Sequence, residues 1–130
     1  MTTSELTIGD RMTRTPHLIG DEQSLRTAHD LMHRHGIRHL PVLHGGKLKG
    51  LVSLRDLHLV ETLRDVDPAT LRVEEAMTQD VYAVGPKTSL KEVVKEMAER
   101  KLGSAVVIEG SAVVGVFTTV DALALLAELL

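Results

Sequence analysis

The strongest constraint on this chain is an internal repeat. Gly50-Leu51-Val52-Ser53-Leu54-Arg55-Asp56 aligns with Gly115-Val116-Phe117-Thr118-Thr119-Val120-Asp121 at an offset of 65 residues. The same offset, carried backwards without a gap, pairs Val42 with Val107, Met32 with Met97 and Ser24-Leu25 with Ser89-Leu90. Further back it pairs Gly20 with Gly85, Met12-Thr13 with Met77-Thr78, and Leu6 with Leu71. Exact matches are a minority, but the apolar pattern agrees almost throughout. The chain is therefore a duplication, with one copy over residues 6–65 and the other over 71–130.

One coarse reading serves both copies. Val81-Tyr82-Ala83-Val84 predicts a short strand, matched by Leu18-Ile19 after Pro16. Gly85-Pro86 then breaks the chain, and Ser89 with Glu92 has the spacing of a capping box at a helix start. Leu90, Val93, Val94, Met97 and Ala98 recur at helical spacing, with Gly103 placed where the helix would stop. Leu25, Ala28, Leu31 and Met32 repeat the pattern, ending at Gly36. Two strands follow in each copy, Leu40 to Leu43 and Leu48 to Ser53 around Gly45-Gly46, and Ala105 to Ile108 and Val113 to Thr118 around Gly110-Ser111. A closing helix completes each unit, Leu57 to Leu63 and Ala122 to Leu130. The segment from Asp65 to Ala69 joins the copies, and lead-ins at Leu6–Met12 and Leu71–Met77 precede them. The result is a mixed α+β (α/β) chain of two βαββα units.

Composition narrows the function. At 130 residues the chain is about one ordinary domain, long enough to fold without metal or disulfide. It has no cysteine, no apolar stretch resembling a signal peptide after its N-terminal residues, and no run long enough to span a bilayer. A cytoplasmic location is the expectation. A net charge of −3 argues against a general nucleic-acid surface, and with only Tyr82 and Phe117 as aromatics there is no base-stacking platform.

The residues with chemistry in them are the two G-h-h-[ST]-x-x-D segments. Each places a hydroxyl and a carboxylate at a strand-to-helix junction. A carboxylate there can accept hydrogen bonds from both ribose hydroxyls, and the hydroxyl at a helix N-terminus suits a phosphate. The same spacing is also that of a simple helix cap. The recurrence after a hairpin and a glycine in both copies favours the ligand-binding reading, and the glycine either admits a close backbone approach or relieves strand packing.

The order of lead-in with Met-Thr, strand, helix, hairpin, G-h-h-[ST]-x-x-D and helix, given twice, resembles the CBS-domain family. The segment Arg38-His39-Leu40-Pro41-Val42 strengthens the resemblance, which covers the chain from about Leu6 onward. It implies two βαββα CBS modules packed sheet to sheet about a pseudo-twofold axis, together one Bateman module. It also implies regulatory adenosyl ligands such as AMP, ADP, ATP or S-adenosylmethionine, and no required cofactor. By the same resemblance, one ligand site would use Ser53, Asp56, Arg38 and His39 with Val81, Tyr82 and Ala83 around the base. The other would use Thr118 and Asp121 with His17, Leu18 and Ile19. The two should be unequal, because Gly103-Ser104 stands where Arg38-His39 would recur, leaving the second copy without a base for phosphate.

Seven histidines are many for this length. His29 and His33 share a helix face at i,i+4 spacing, but a third or fourth zinc ligand is not evident, so no metal site is expected. His44 and His58 read as surface residues. No cysteine nucleophile, G-x-S-x-G elbow or P-loop is present, and the two acids fall in different repeats, so the chain is not expected to be an enzyme. The apolar closing helix Leu123–Leu130 carries more apolar surface than a lone module should leave in water. Together with the family resemblance it implies a homodimer, a four-module disc, that regulates a separate protein. The alternative is a structural interaction module in which the motifs are only caps.

Overall fold

The computed structural model describes residues 5–14, 17–63 and 65–130. They fall into two compact units, and the boundaries do not follow the repeat. One unit is His17–Val81; the other joins the described residues 5–14 to Tyr82–Leu130.

The His17–Val81 unit holds strand β2 (Ile19–Gly20), helix α2 (Leu25–His35), strands β3 (His39–His44) and β4 (Lys47–Ser53), and helix α3 (Leu54–Glu61). Its sheet has the order β2-β3-β4, with β2 parallel and β4 antiparallel to β3. The second unit holds helix α1 (Ile8–Arg11), β1 (Thr13–Arg14), β5 (Ala83–Val84), α4 (Leu90–Arg100), β6 (Ser104–Glu109), β7 (Ala112–Thr118) and α5 (Thr119–Leu129), with sheet order β1-β7-β6-β5. Among the described residues the chain is thus a mixed α/β fold with two sheets and five helices.

Local chemistry accounts for the hairpins. β3 and β4 are joined by Gly45 and Gly46, whose φ values of 57° and 80° suit a two-residue turn that side chains resist. Gly110 (φ 64°) serves the hairpin of β6 and β7. Each hairpin has an irregularity at the same repeat position, between Val42 and Leu43 and between Val107 and Ile108.

The unit boundaries arise because the lead-ins are exchanged between repeats. The amide of Ile8 donates to the Thr88 carbonyl, Gly9 to Pro86, and Leu90 to Leu6. At the offset of 65 the same three bonds recur, Val73 to Gln23, Glu74 to Asp21, and Leu25 to Leu71. Ile8 is fully buried with Leu90, Val93, Met97, Ala105, Val107 and Phe117; Val73 is fully buried with Leu25, Met32, Leu40, Val42, Val52 and Leu57. Each such side chain contributes roughly 1.5–3 kcal/mol by leaving water, which keeps the exchanged segments in place.

Several local expectations change. The strand expected over Val81–Val84 is only Ala83–Val84, and the one expected at Leu18-Ile19 is Ile19–Gly20. α4 ends at Lys101, which takes the left-handed conformation (φ 56°) ahead of Gly103. Ser89 starts α4 without a side-chain cap bond, so the Ser89–Glu92 box is not formed; α2, by contrast, is capped by Ser24 Oγ, which accepts from the Thr27 amide at 3.1 Å. The closing helices begin three residues earlier than their apolar spacing indicates, at Leu54 and Thr119, because Ser53 and Thr118 cap them.

Candidate functional site

Both G-h-h-[ST]-x-x-D segments end the second strand of a hairpin and open a helix. In the first, the Ser53 amide donates to Asp56 Oδ2 at 2.9 Å and the Asp56 amide donates to Ser53 Oγ at 3.0 Å. In the second, the Thr118 amide donates to Asp121 Oδ2 at 2.8 Å and the Asp121 amide to Thr118 Oγ1 at 3.4 Å. Each is a reciprocal cap that satisfies two helix-end donors. The cap reading is therefore realised in both copies, and the issue becomes what polar capacity the caps leave over.

They leave different amounts. Asp121 Oδ1 accepts from Thr13 Oγ1 at 3.4 Å, and the Thr118 hydroxyl donates to Asp121 Oδ2 at 3.2 Å. Asp56 Oδ1 and the Ser53 O–H have no corresponding partner among the described residues. The first copy therefore retains a free carboxylate oxygen and a free hydroxyl donor, which is what a ribose and a phosphate oxygen require.

The first copy also gathers its bases. His39 lies opposite Ser53 in the hairpin, and the Leu54 amide donates to the Arg38 carbonyl at 2.8 Å. Arg38, His39, Ser53 and Asp56 thus surround the start of α3. Burial pushes the His39 imidazole below its ordinary pKa, the Asp56 carboxylate pulls it the other way, and Arg38 adds to the lowering. His39 is consequently neutral near pH 7, and the permanent charge of the pair is the exposed guanidinium of Arg38.

The remaining predicted residues are distributed over both units. Val81 ends the His17–Val81 unit, its amide donating to the Gln79 carbonyl at 3.1 Å. Tyr82 and Ala83 belong to the other unit. The Tyr82 carbonyl accepts from the Val106 amide at 2.9 Å, and Arg100 lies over its ring, 5.6 Å from the centroid. Burial raises the Tyr82 pKa, with Glu96 and Glu92 acting in the same direction and Arg100 opposing them. His17 stacks on His35 with centroids 3.6 Å apart, Leu18 is exposed, and the Ile19 side chain is committed to the core. His29 is half-buried between α2 and α3 with Nδ1 3.5 Å from Glu61 Oε1 and the His58 ring edge-on.

The motif glycines admit a close backbone approach, one of the two readings their position allows. A Cβ on Gly50 would stand 2.7 Å from the Thr78 carbonyl oxygen and 2.8 Å from Met77 Sδ; one on Gly115 would strike Met12 and stand 3.0 Å from the Thr13 oxygen. The close approach is made by the chain's own Met-Thr lead-ins. Leu51 and Thr78 exchange backbone hydrogen bonds at 2.9 and 2.8 Å, and Thr13 pairs with Val116. Thr13 is the contact that sequence reasoning missed, although its signal, Met-Thr at the repeat offset, was present.

Comparison with known proteins identifies the family. The CBS domain profile matches residues 7–60 and again 73–128. The chain belongs to the CBS domain family. An inosine-5'-monophosphate dehydrogenase of Korarchaeum cryptofilum (strain OPF8) is 36% identical over 104 residues, covering 79% of this chain. That stretch is 21% of the dehydrogenase, so the chain spans about a fifth of that enzyme. The structure of an AcuB-type acetoin utilization protein from Vibrio cholerae superposes with a TM-score of 0.84 at 32% identity, covering 95% of this chain and 92% of that one. The CBS domain pair of MJ0100, solved in complex with 5-methylthioadenosine and S-adenosyl-L-methionine, gives a TM-score of 0.85 at 22% identity, covering 95% and 97%. As a tandem CBS chain, the protein has no described helix long and apolar enough to cross a membrane.

Proposed function

We propose that this CBS pair is a regulatory module rather than a catalyst, and that it senses an adenosyl ligand through the start of α3. The observation that carries the reading is the unspent polar capacity there. Asp56 Oδ1 is available to ribose hydroxyls, and the Ser53 hydroxyl, His39 and Arg38 are available to phosphate. Val81, Tyr82 and Ala83 are assigned to the adenine on the family resemblance, as are His17, Leu18 and Ile19 for the second ligand. The start of α5 is the weaker site, because both Asp121 oxygens are engaged and no base stands beside Thr118. Ligands of the AMP, ATP and S-adenosylmethionine class fit this chemistry, and the MJ0100 pair is known with members of it.

Isothermal titration with AMP tests the asymmetry. Arg38→Ala should weaken the tighter site by about 1.5–3 kcal/mol, one to two decades, since a charge-assisted bond is lost. Asp56→Asn keeps an acceptor for the cap while removing the carboxylate, and should weaken the same site. Asp121→Asn should affect it little. Two equal sites, or loss of binding only in Asp121→Asn, would sink the reading. Both carboxylates sit in capping boxes, which favours the second reading of a ligand-free interaction module. A panel of AMP, ATP, S-adenosylmethionine and NADH that leaves Tm unmoved would support that one, because a real ligand at 100 times its Kd adds about 2.7 kcal/mol.

Output to a separate cytoplasmic partner would follow from the ligand binding one arrangement of the protein better than another. We assign self-association to the closing helices. On α5, Val120, Leu123, Leu126 and Leu129 are 49–63% exposed, and none of its residues is buried. On α3 and just beyond it, Leu59 and Leu63 are 69% and 60% exposed. Light scattering should give the mass of a dimer, and Leu123→Glu with Leu126→Glu should halve it. A wild-type monomer would remove this part of the proposal.

A further inference from the structure

A cluster outside the proposed nucleotide site sits at the open end of the sheet of the His17–Val81 unit. β2 runs parallel to β3 with Ile19 opposite Val42 and Gly20 opposite Leu43. The Asp21 amide then donates to the Leu43 carbonyl at 2.9 Å, which brings Asp21 level with His44. The two Asp21 carboxylate oxygens lie 2.9 and 3.1 Å from His44 Nδ1. Glu22 joins them, the ligand atoms of the three residues lying within 4.8 Å of one another. All three line a concavity of about 490 Å³, bounded also by Leu18, Gln23 and the Gly45-Gly46 turn.

The scaffold does not require this set. Asp21 is 5% exposed, yet its carboxylate caps no helix, since Ser24 caps α2. Among the described residues its only side-chain partner is His44, an imidazole and not a fixed cation. A carboxylate so far withdrawn from water needs compensating charge. The equivalent positions of the other repeat are Pro86, Lys87 and Glu109, so the cluster is particular to this end of the chain. His44 is a surface residue, as its sequence context indicates, and the sheet register brings it to Asp21.

We propose that Asp21, Glu22 and His44 form a binding site for a divalent cation of the zinc class. One imidazole and two carboxylates, with no thiolate, suit a borderline cation, and three protein ligands leave a coordination position open toward the concavity. The buried carboxylate then faces a cation, and Glu22 supplies a second negative charge at the rim. None of the three cation ligands is a residue assigned to a nucleotide, although Leu18 and Ile19, assigned to the second ligand, border the same concavity.

The test is a titration of the chelator-stripped full chain with Zn²⁺ alone, in competition with a chromophoric chelator. One equivalent per chain should bind, and His44→Gln should weaken it tenfold or more, as should Asp21→Asn. His17→Ala and His33→Ala should leave it unchanged. Co²⁺ in place of Zn²⁺ should give visible d–d bands that disappear in His44→Gln. The His44 side chain is 62% exposed at a hairpin end, so this variant keeps its fold and circular dichroism checks that independently of Asp21→Asn. Unchanged affinity in His44→Gln, or loss in His17→Ala or His33→Ala, would overturn the proposal by placing the ion elsewhere.

Discussion

Phe117→Ala is expected to destabilise the unit built on β6 and β7 by about 3–5 kcal/mol, the usual range for truncating a buried phenylalanine. Among the described residues Phe117 is the largest fully buried side chain, and it packs with Ile8, Leu90, Val93, Met97, Ala105 and Val107. No other phenylalanine or tryptophan is present to fill the space. The repeat supplies its own control, because the equivalent position in the other unit is Val52, also fully buried. Val52→Ala removes two methyl groups, roughly 1.6 kcal/mol plus a cavity term. Chemical denaturation followed by circular dichroism should show Phe117→Ala with the much lower midpoint and a Tm lower by on the order of 10 °C or more. Equal losses for the two variants would mean that Phe117 does not organise the core as described.

Gly50→Val should cost about 3 kcal/mol, at the upper end for overpacking a fitted site. The obstacle is specific. An added Cβ meets the Thr78 carbonyl oxygen at 2.7 Å, and that oxygen is held by the Leu51 amide. Backbone paired to backbone cannot swing aside as a flexible side chain can. Gly115→Val is the instructive comparison, since there the worst contact is with the Met12 side chain and the Thr13 oxygen is at 3.0 Å. Methionine can rotate away, so this variant should be the milder of the two. Urea unfolding of both variants decides the matter. A wild-type midpoint for Gly50→Val would show that the Met77-Thr78 segment does not lie against β4.

The elements of this fold were readable from residues whose signals are local. Gly45-Gly46 between alternating runs marked one hairpin, and Leu25, Ala28, Leu31 and Met32 at helical spacing marked α2, because turns and helix faces are decided by near neighbours. The helix ends at Lys101 were not readable, since a left-handed lysine is a choice imposed by surroundings. The pairing of Thr13 with β7 was equally hidden, because it joins residues about a hundred positions apart. At the candidate site the four residues Arg38, His39, Ser53 and Asp56 could be named from the motif and its neighbour segment. The unequal occupation of Asp56 and Asp121 could not, as it depends on which threonine of a distant lead-in reaches which carboxylate. Asp21 and His44 were missed for the same reason: only sheet register makes them neighbours.

The exchange of lead-ins also bears on how the chain is made. The His17–Val81 unit is contiguous and can close once its own residues have left the ribosome. The other unit cannot, because Ile8 has its hydrogen-bond partner at Thr88 and Thr13 has its strand partner at Val116. Its first-synthesised segment must wait for nearly the last. Contacts of such long sequence separation are slow to form, since the loop must be closed before they return anything. The two halves of a sequence duplication thus become kinetically unlike, an early-folding body and a late one, although their hydrogen-bond plans are the same.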